Sequence, residues 1–445
     1  MALTSEHKAG SKRPGRIVAF AKSGTEAVDG AAAKHAPVAV ISRRGAERLR
    51  AGHVWVYASD VLKVTPDQTP GGLMRVVDQP GHLLGTALWS PTSEIALRLL
   101  SPEALDEAAW LALLRARLTA AVAERLPLLG PGRTEPKQTP GSDSCRLVFS
   151  EADALPGIIA DKYGDLVLLQ LLASGVDNAA VRQVAVEVLR EELAPQTIVE
   201  RPDPRIRELE QLSLPSLEPL YAAQPESPLL STVFHLNGLA FHYDASAGQK
   251  TGAFLDQREN YAAAARHGHG EALDVCTYQG GFALHLATTC RTVTGVDSSQ
   301  TALEVAERNL QLNRDTLGAV EVDWVKGDAF AVLREWAEAG AQYDTIVLDP
   351  PAFAKSRRAA ESAMRGYKEL NLRALQMLRP GGTLVTCSCS HHVSLADFEQ
   401  VIAAAAGDAG RRVRLLERRG AAPDHPVVLT IPETEYLKCL VLRVE

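Results

Sequence analysis

The chain has 445 residues, 46% of them hydrophobic, enough for roughly three domains with buried cores. A formal net charge of −7 gives no overall attraction to nucleic acid, so any such surface has to be a local patch. Six cysteines without a C-x-x-C pair argue against structural zinc, any other metal site or a disulfide framework and suit a reducing cytoplasm, while the absence of a long apolar run or cleavable leader argues against a membrane or secreted protein.

Residues 1–36 are rich in Lys, Gly, Ala and Ser without sustained periodicity and read as a flexible tail. Ten Lys and Arg against four acids between positions 1 and 55 make this end basic, which suits either RNA contact or plain solubility. Residues 37–115 begin with short strands and turns (AVIS, HVWVYASDV, MRVVDQPGHLLGTALWS, IALRLL) around a helical RRGAERLRAG, the pattern of a small β-barrel. There Arg48, Arg50, His53, Trp55 and Tyr57 interleave bases with aromatics, as stacking on RNA and contact with phosphate require. Taken singly, Trp55 and Tyr57 are expected in the barrel core. An alanine- and leucine-rich helix over 103–127 and a Gly, Pro and Thr linker lead to a central α+β region at 140–231. Its strands are CRLVFS, IIADKY, LVLLQLL and TIVE, with a helix at Asn178–Leu193. Glu151 and Asp153 fall in a loop, and the region reads as a spacer or an RNA cradle.

From 232 to 445 strands and helices alternate, which predicts an α/β, doubly wound, Rossmann-like sheet. At its centre residues 271–299 read as strand, glycine turn, helix (Phe282–Thr289) and strand. A loop at the carboxyl end of such a strand is where nucleotide-like ligands bind, and Asp297 stands where an acid accepts ribose hydroxyls. The turn, Asp274-Val-Cys-Thr277-Tyr-Gln-Gly280-Gly281, lacks the early glycines of a dinucleotide site. It offers a carboxylate instead, which suits a ligand with a cationic amino-acid tail such as S-adenosylmethionine. Asp274, Asp297, Asp328 and Asp349 stand at the ends of successive predicted strands and are expected to converge on one crevice. Asp297 would take the ribose, Asp328 the adenine amino group, and Asp274 the methionine end. An ordinary buried βαβ unit is the plain alternative.

Asp349-Pro350-Pro351-Ala-Phe353 can present a rigid carbonyl and a carboxylate, since the prolines fix φ and remove N–H groups, and an aromatic ring on which to stack a base. That arrangement suits methylation of an amine as well as of carbon. Ser388-Cys389-Ser390 separates the two. Carbon 5 of a pyrimidine becomes nucleophilic only after a thiolate adds to carbon 6, and Cys389 at a strand end facing the crevice is the candidate. Cys387, two residues away, would share its face but reads as a small buried hydrophobe, as do Cys276, Cys290 and Cys439.

Arg48-Leu-Arg-Ala-Gly52-His53-Val-Trp55-Val-Tyr57 resembles the opening of a PUA domain, an RNA-binding module. With Lys250-Thr-Gly-Ala-Phe254-Leu-Asp256-Gln257-Arg258-Glu-Asn260, the D-P-P loop, Arg365-Gly366-Tyr367-Lys368-Glu-Leu-Asn371 and Ser388-Cys389-Ser390, the chain from about 38 to 445 resembles the PUA-containing bacterial 23S rRNA cytosine-C5 methyltransferases. The resemblance implies S-adenosylmethionine as methyl donor, Cys389 as nucleophile, Phe254 to Arg258 (Gln257 and Arg258 among them) helping to close the cofactor pocket, and 23S rRNA or the large subunit as partner. Lys355, Arg357, Arg358, Arg365 and Lys368 follow the D-P-P loop and would suit phosphates. Two-cysteine relatives carry a second cysteine after this motif; here Ala352 stands there, leaving Asp349 as candidate for removing the carbon 5 proton. Asp424-His425-Pro426 and Glu433-Thr-Glu-Tyr436-Leu-Lys438 recur in the family without an evident chemical role. Methylation of another base or nitrogen, a non-catalytic RNA-binding factor, and a homodimer stay open.

Overall fold

The computed structural model describes residues 37–130, 141–246, 253–353 and 360–445. The expected tail at 1–36, Lys250 to Gly252 of one family-like motif, and Lys355, Arg357 and Arg358 lie outside the described residues. No helix among the described residues is long and apolar enough to cross a membrane.

The first sheet forms where short β-branched runs alternate. Its strands are β1 (Val38–Ile41), β2 (Trp55–Tyr57), β3 (Val61–Val64), β4 (Leu73–Val77), β5 (Leu83–Trp89) and β6 (Ile95–Ser101), in the spatial order β2-β6-β5-β4-β1-β3. Helix α1 (Arg43–Arg50) starts on Ser42, whose side chain accepts the Gly45 N–H. The period of two decides which face of β2 is interior. Val56 is in the core, while Trp55 and Tyr57 are half-buried on the opposite face, so neither aromatic is the barrel-core residue expected of it.

Helix α2 (Glu107–Arg125) leads into a second sheet of β7 (Ser144–Phe149), β8 (Ile158–Tyr163), β9 (Leu166–Leu171), β10 (Thr197–Glu200) and β11 (Tyr221–Ala222). Helix α3 (Ala179–Leu193) falls between β9 and β10, and α4 (Pro204–Leu209) follows β10. Trp110, Leu114 and Leu118 of α2 share one core with Val181, Ala185 and Val188 of α3 and with the sheet. A hairpin that the strand pattern did not reveal, β12 (Ser231–Leu236) and β13 (Leu239–Asp244), turns at Asn237-Gly238, both in the left-handed region at φ 51° and 84°. Its Phe234 and Phe241 join Tyr163 of β8 in the core beneath the third sheet.

That third sheet is built from α5 (Arg258–His267), β14 (Glu271–Val275), α6 (Gly281–Leu286), β15 (Thr292–Asp297), α7 (Gln300–Leu312), α8 (Arg314–Leu317), β16 (Glu321–Lys326), α9 (Ala329–Glu338), β17 (Tyr343–Leu348), α10 (Ala360–Met377), β18 (Leu378–Ser388), α11 (Leu395–Asp408), β19 (Val413–Arg419) and β20 (Lys438–Val444). Its order is β16-β15-β14-β17-β18-β20-β19, parallel from β16 to β18, with β20 antiparallel to its neighbours. Alternate residues feed opposite faces. Ala272, Val347, Val385 and Val441 pack with Tyr261 and Phe282, whereas Leu273, Ile346, Leu384 and Leu442 pack with Leu333, Tyr367 and Phe398. The strand order reverses between β14 and β17, and their carboxyl ends part there to leave the crevice where this fold takes ligands. The Arg379–Gly382 turn expected between helix and strand is instead a bulge inside β18, where register jumps from Leu378 to Thr383 and Gly381 has φ 81°.

Candidate active site

A cavity of about 590 Å³ opens at the carboxyl ends of the parallel strands, lined by Asp297, Asp328, Asp349, Pro350, Pro351, Phe353 and Cys389 and, beside them, Cys276, Tyr278, Phe330, Asp256, Gln257, Tyr436 and Leu437. The turn after β14 curves around one wall because Cys276 (φ 65°), Tyr278 (φ 52°) and Gly280 (φ 84°) alternate through the left-handed region. Such backbone costs of order 1 kcal/mol at each non-glycine position and needs an anchor. Asp297, the last residue of β15, supplies it by accepting the N–H groups of Tyr278 (2.9 Å) and Ser299 (2.8 Å). Each carboxylate oxygen still has a lone pair for a ribose hydroxyl.

Not every expected residue reaches this cavity. Asp274 lies within β14 rather than at its end and is fully buried below the turn. Its Oδ2 accepts the Thr277 hydroxyl (2.6 Å) and the Ala283 N–H (2.9 Å), while Oδ1 has no partner. Burial pushes its carboxyl up to about 7; the two donors oppose this and Asp297 adds to it. Thr277 and the α6 cap Gly280 are absent from the cavity wall too, so Asp274, Thr277 and Gly280 brace the turn from behind. Arg258 is buried, 3.5 Å from Asp424, and donates to the Ser144 carbonyl, tying α5 to the second sheet. Gln257 lines the cavity but donates to Asp349 Oδ1 at 3.0 Å. Arg365 is exposed on α10, and Lys368 pairs with Asp408 at 2.7 Å.

The other wall carries the groups suited to bond-making. Cys389 follows the last residue of β18, so it leaves the ladder and faces the cavity, whereas Cys387 stays in the strand and is buried against Cys439. The two cysteines thus do not share an environment. Burial pushes the Cys389 thiol up to about 11, and the carboxyl groups of Asp349 and Asp256 push the same way. The thiol therefore needs a proton acceptor before it can act as a nucleophile. Burial also raises Asp349 to about 8, helped by Asp256 and Asp274 and opposed by the Gln257 amide. Two titratable groups displaced this far inside one cleft mark a functional site.

A supporting layer fixes these side chains. Tyr367 OH is 2.9 Å from the hydroxyls of both Ser388 and Ser390, and its ring lies 4.8 Å from Phe353. Gly366 lets Phe353 approach; a Cβ there would be 3.3 Å from its ring. The R-G-Y-K-E-L-N segment thereby sets both the cysteine turn and the aromatic platform, a role that its spacing did not disclose. Phe254 and Asp256 of the expected pocket-closing segment line the cavity, and Tyr436 is a cavity residue that the sequence did not disclose. Tyr436 OH donates to Asp256 at 2.5 Å, and the segment from 420 to 438 holds that contact by reaching several elements. Ala422 N–H donates to the Asp256 carbonyl, Asp424 accepts the Arg146 N–H, and Glu433 lies 3.1 Å from His53 of the first sheet. Trp55 donates to Glu151 at 2.9 Å, and Asp153 pairs with Arg125 at 2.8 Å, so the two acids expected in a loop are structural anchors.

The cavity fits S-adenosylmethionine. Asp297 has acceptors left for a diol, Asp328 caps α9 beside Phe330 in the same wall, and Tyr278, Val296, Phe330, Pro350, Pro351 and Phe353 supply apolar and aromatic surface for a flat ring. Beneath the turn, Asp274 Oδ1 remains a buried acceptor without a donor.

Comparison with known proteins agrees with this geometry. Residues 40–102 match a PUA-like domain family, and residues 224–443 match an S-adenosylmethionine-dependent methyltransferase family. The chain is 35% identical over 413 residues to the ribosomal RNA large subunit methyltransferase I of Klebsiella pneumoniae, covering 92% of this chain and 98% of that one. The Erwinia tasmaniensis protein of the same name is 36% identical over 410 residues, covering 92% and 99%. A Streptococcus mutans structure described as a SAM-dependent methyltransferase has the same fold, with a TM-score of 0.74 at 19% identity over 91% of this chain and 99% of that one.

Proposed function

We propose that this chain, which belongs to the ribosomal RNA large subunit methyltransferase I family, methylates carbon 5 of a cytosine in 23S rRNA, with Cys389 as transient nucleophile and S-adenosylmethionine as its cofactor. The observation that carries this reading is the meeting of Cys389, Asp349 and Phe353 in the wall of the cavity that Asp297 and Asp328 also line. When bound, the cofactor supplies an electrophilic methyl group on sulfur.

The protein's own residues do the rest. A cytosine turned out of the RNA stacks on Phe353, framed by Pro350 and Pro351. Cys389 gives up its proton and its sulfur bonds to carbon 6. Asp349, protonated at neutral pH in this crevice, donates to ring nitrogen 3 as that bond forms, so that the electron pair reaches carbon 5. Once carbon 5 carries the methyl group, the Asp349 carboxylate accepts the proton leaving it, the carbon–sulfur bond breaks, and the proton on ring nitrogen 3 is released to the departing sulfur, which restores the Cys389 thiol. Asp297 and Asp328 orient the cofactor throughout. The enzyme would act in the cytoplasm.

Incorporation of labelled methyl into rRNA tests the reading, with naked 23S rRNA and large subunits assayed in parallel. Cys389→Ala is expected to abolish incorporation, and full retention would overturn the covalent route. The D-P-P-A-F loop is also compatible with methylation of an amine, so fragment mass spectrometry of the product has to locate the new methyl on carbon 5.

A further inference from the structure

The scheme above leaves one buried cation without a task. Lys438 opens β20 and pairs with Ser388 across the ladder to β18, which sets its stem beside the residue preceding Cys389. It is 7% exposed, and its Nζ donates to the carbonyls of Ser390 (2.7 Å) and Tyr436 (2.8 Å). Two of three donors are therefore spent on backbone on either side of the cysteine turn. Among the described residues no carboxylate comes within ion-pair distance of it. Withdrawing an ammonium from water without a counter-ion costs several kcal/mol, and a fold keeps such a group where an anion visits.

The group able to become that anion is Cys389. After burial itself, the thiol is the strongest influence on Lys438, favouring its charged form, and Lys438 in turn favours the thiolate. Of the other groups facing the sulfur, the Cys389 backbone N–H also favours the thiolate, Asp349 and Asp256 oppose it, and Tyr436 and Tyr367 are phenols held protonated by burial. On the lysine side stand Glu435, and His391, which burial keeps from charging.

We propose that Lys438 is a positioning residue for the nucleophile: its ammonium, clamped by the Ser390 and Tyr436 carbonyls, is the counter-charge of the Cys389 thiolate as sulfur attacks the base. The inference rests on the reading of Cys389 as nucleophile. Lys438 keeps its proton throughout; the thiol proton leaves to solvent, and the ammonium stabilises the charge left on sulfur without having to reorganise.

The test uses the full-length protein without cofactor or RNA and measures iodoacetamide alkylation of Cys389, resolved from the other cysteines by peptide mass spectrometry. At pH 8, Lys438→Met is expected to slow Cys389 alkylation about tenfold, corresponding to about one unit of thiol pKa, while Lys438→Arg stays within about threefold of wild type. Alkylation of Cys276 should be unchanged in both. Lys438→Gln, which keeps donors for the carbonyls, replaces the Met variant if that variant does not fold. In the wild type the logarithm of the rate should rise with a slope below one above about pH 8, where Lys438 loses its charge; in Lys438→Arg the slope stays at one. A Lys438→Met or Lys438→Gln rate within twofold of wild type, or a wild-type slope of one throughout, overturns the proposal. Retained methyl transfer in Cys389→Ala would overturn the nucleophile reading instead, whatever the alkylation rates.

Discussion

The two ends of the third sheet treat the same kind of side chain in opposite ways. On β14, Glu271 begins the strand and Asp274 sits three residues on; on β17, Asp344 lies near the start and Asp349 just past the end. At these two amino ends both carboxylates have cations. Arg379 (2.9 Å) and Arg291 (2.7 Å) hold Glu271 below the usual range. Burial acts upward on Asp344, but the Glu271 N–H (2.8 Å) and Arg379 (2.9 Å) outweigh it and lower it too. At the carboxyl ends Asp274 and Asp349 have no cation, and burial raises them to about 7 and 8. The sheet can therefore neutralise its acids, as it does at Glu271 and Asp344; at Asp349 in the cavity wall and at Asp274 beneath the turn that borders it, it leaves them costly.

The comparison breaks most visibly at Asp349. Asp349→Asn should lower methyl transfer about 10²- to 10⁴-fold, the range of a lost general acid–base group. The same change should stabilise the protein at alkaline pH. The folded value is raised from 3.8 to about 8, so this group's contribution is fully present below about pH 4 and is lost as pH rises through 8. The melting temperature of the variant should thus draw ahead of wild type between pH 4 and 9, and parallel curves would contradict the account of the crevice. Asp297→Ala is next: removing the anchor of Tyr278 and Ser299 and two acceptors for the ribose should weaken S-adenosylmethionine binding about 10- to 100-fold by calorimetry. The amino end should respond only in stability. Asp344→Asn is expected to cost about 1 kcal/mol at pH 7 in denaturant titration and to leave methyl transfer within twofold. Its folded value is lowered, so the cost should shrink as pH falls through the carboxylate range, and a loss of activity would show that the ends are not independent.

Much of the catalytic sheet was legible because each element announces itself by period: TVTGVD with period two and Asp297 at its end, then TALEVAERNLQLN with period 3.6. Cys389 and the D-P-P loop were legible as chemistry, since few residue types at a strand end can add to a pyrimidine. Contacts between distant segments were not. Tyr436 and Lys438 lie about 180 residues from Asp256, and nothing in E-T-E-Y-L-K reveals that β20 will insert beside β18. Asp274 misled for the converse reason: it and Val275 still lie within the strand and are buried, and the chain reaches the cavity wall only at Cys276, so the acid is carried beneath the turn.

Local order, then, is what the amino-acid sequence determined by itself: the strand and helix alternation, the acid that ends β15, and the thiol that follows β18. Those features depend on neighbours within a few residues, where periodicity and backbone preference act. Only the tertiary structure decided which acids are paired and which are stranded, which phenol meets Asp256, and which cation holds the carbonyl of Ser390 beside Cys389. Charge in a protein is governed by burial and by partners brought from far along the chain, and both exist only once the sheets have packed.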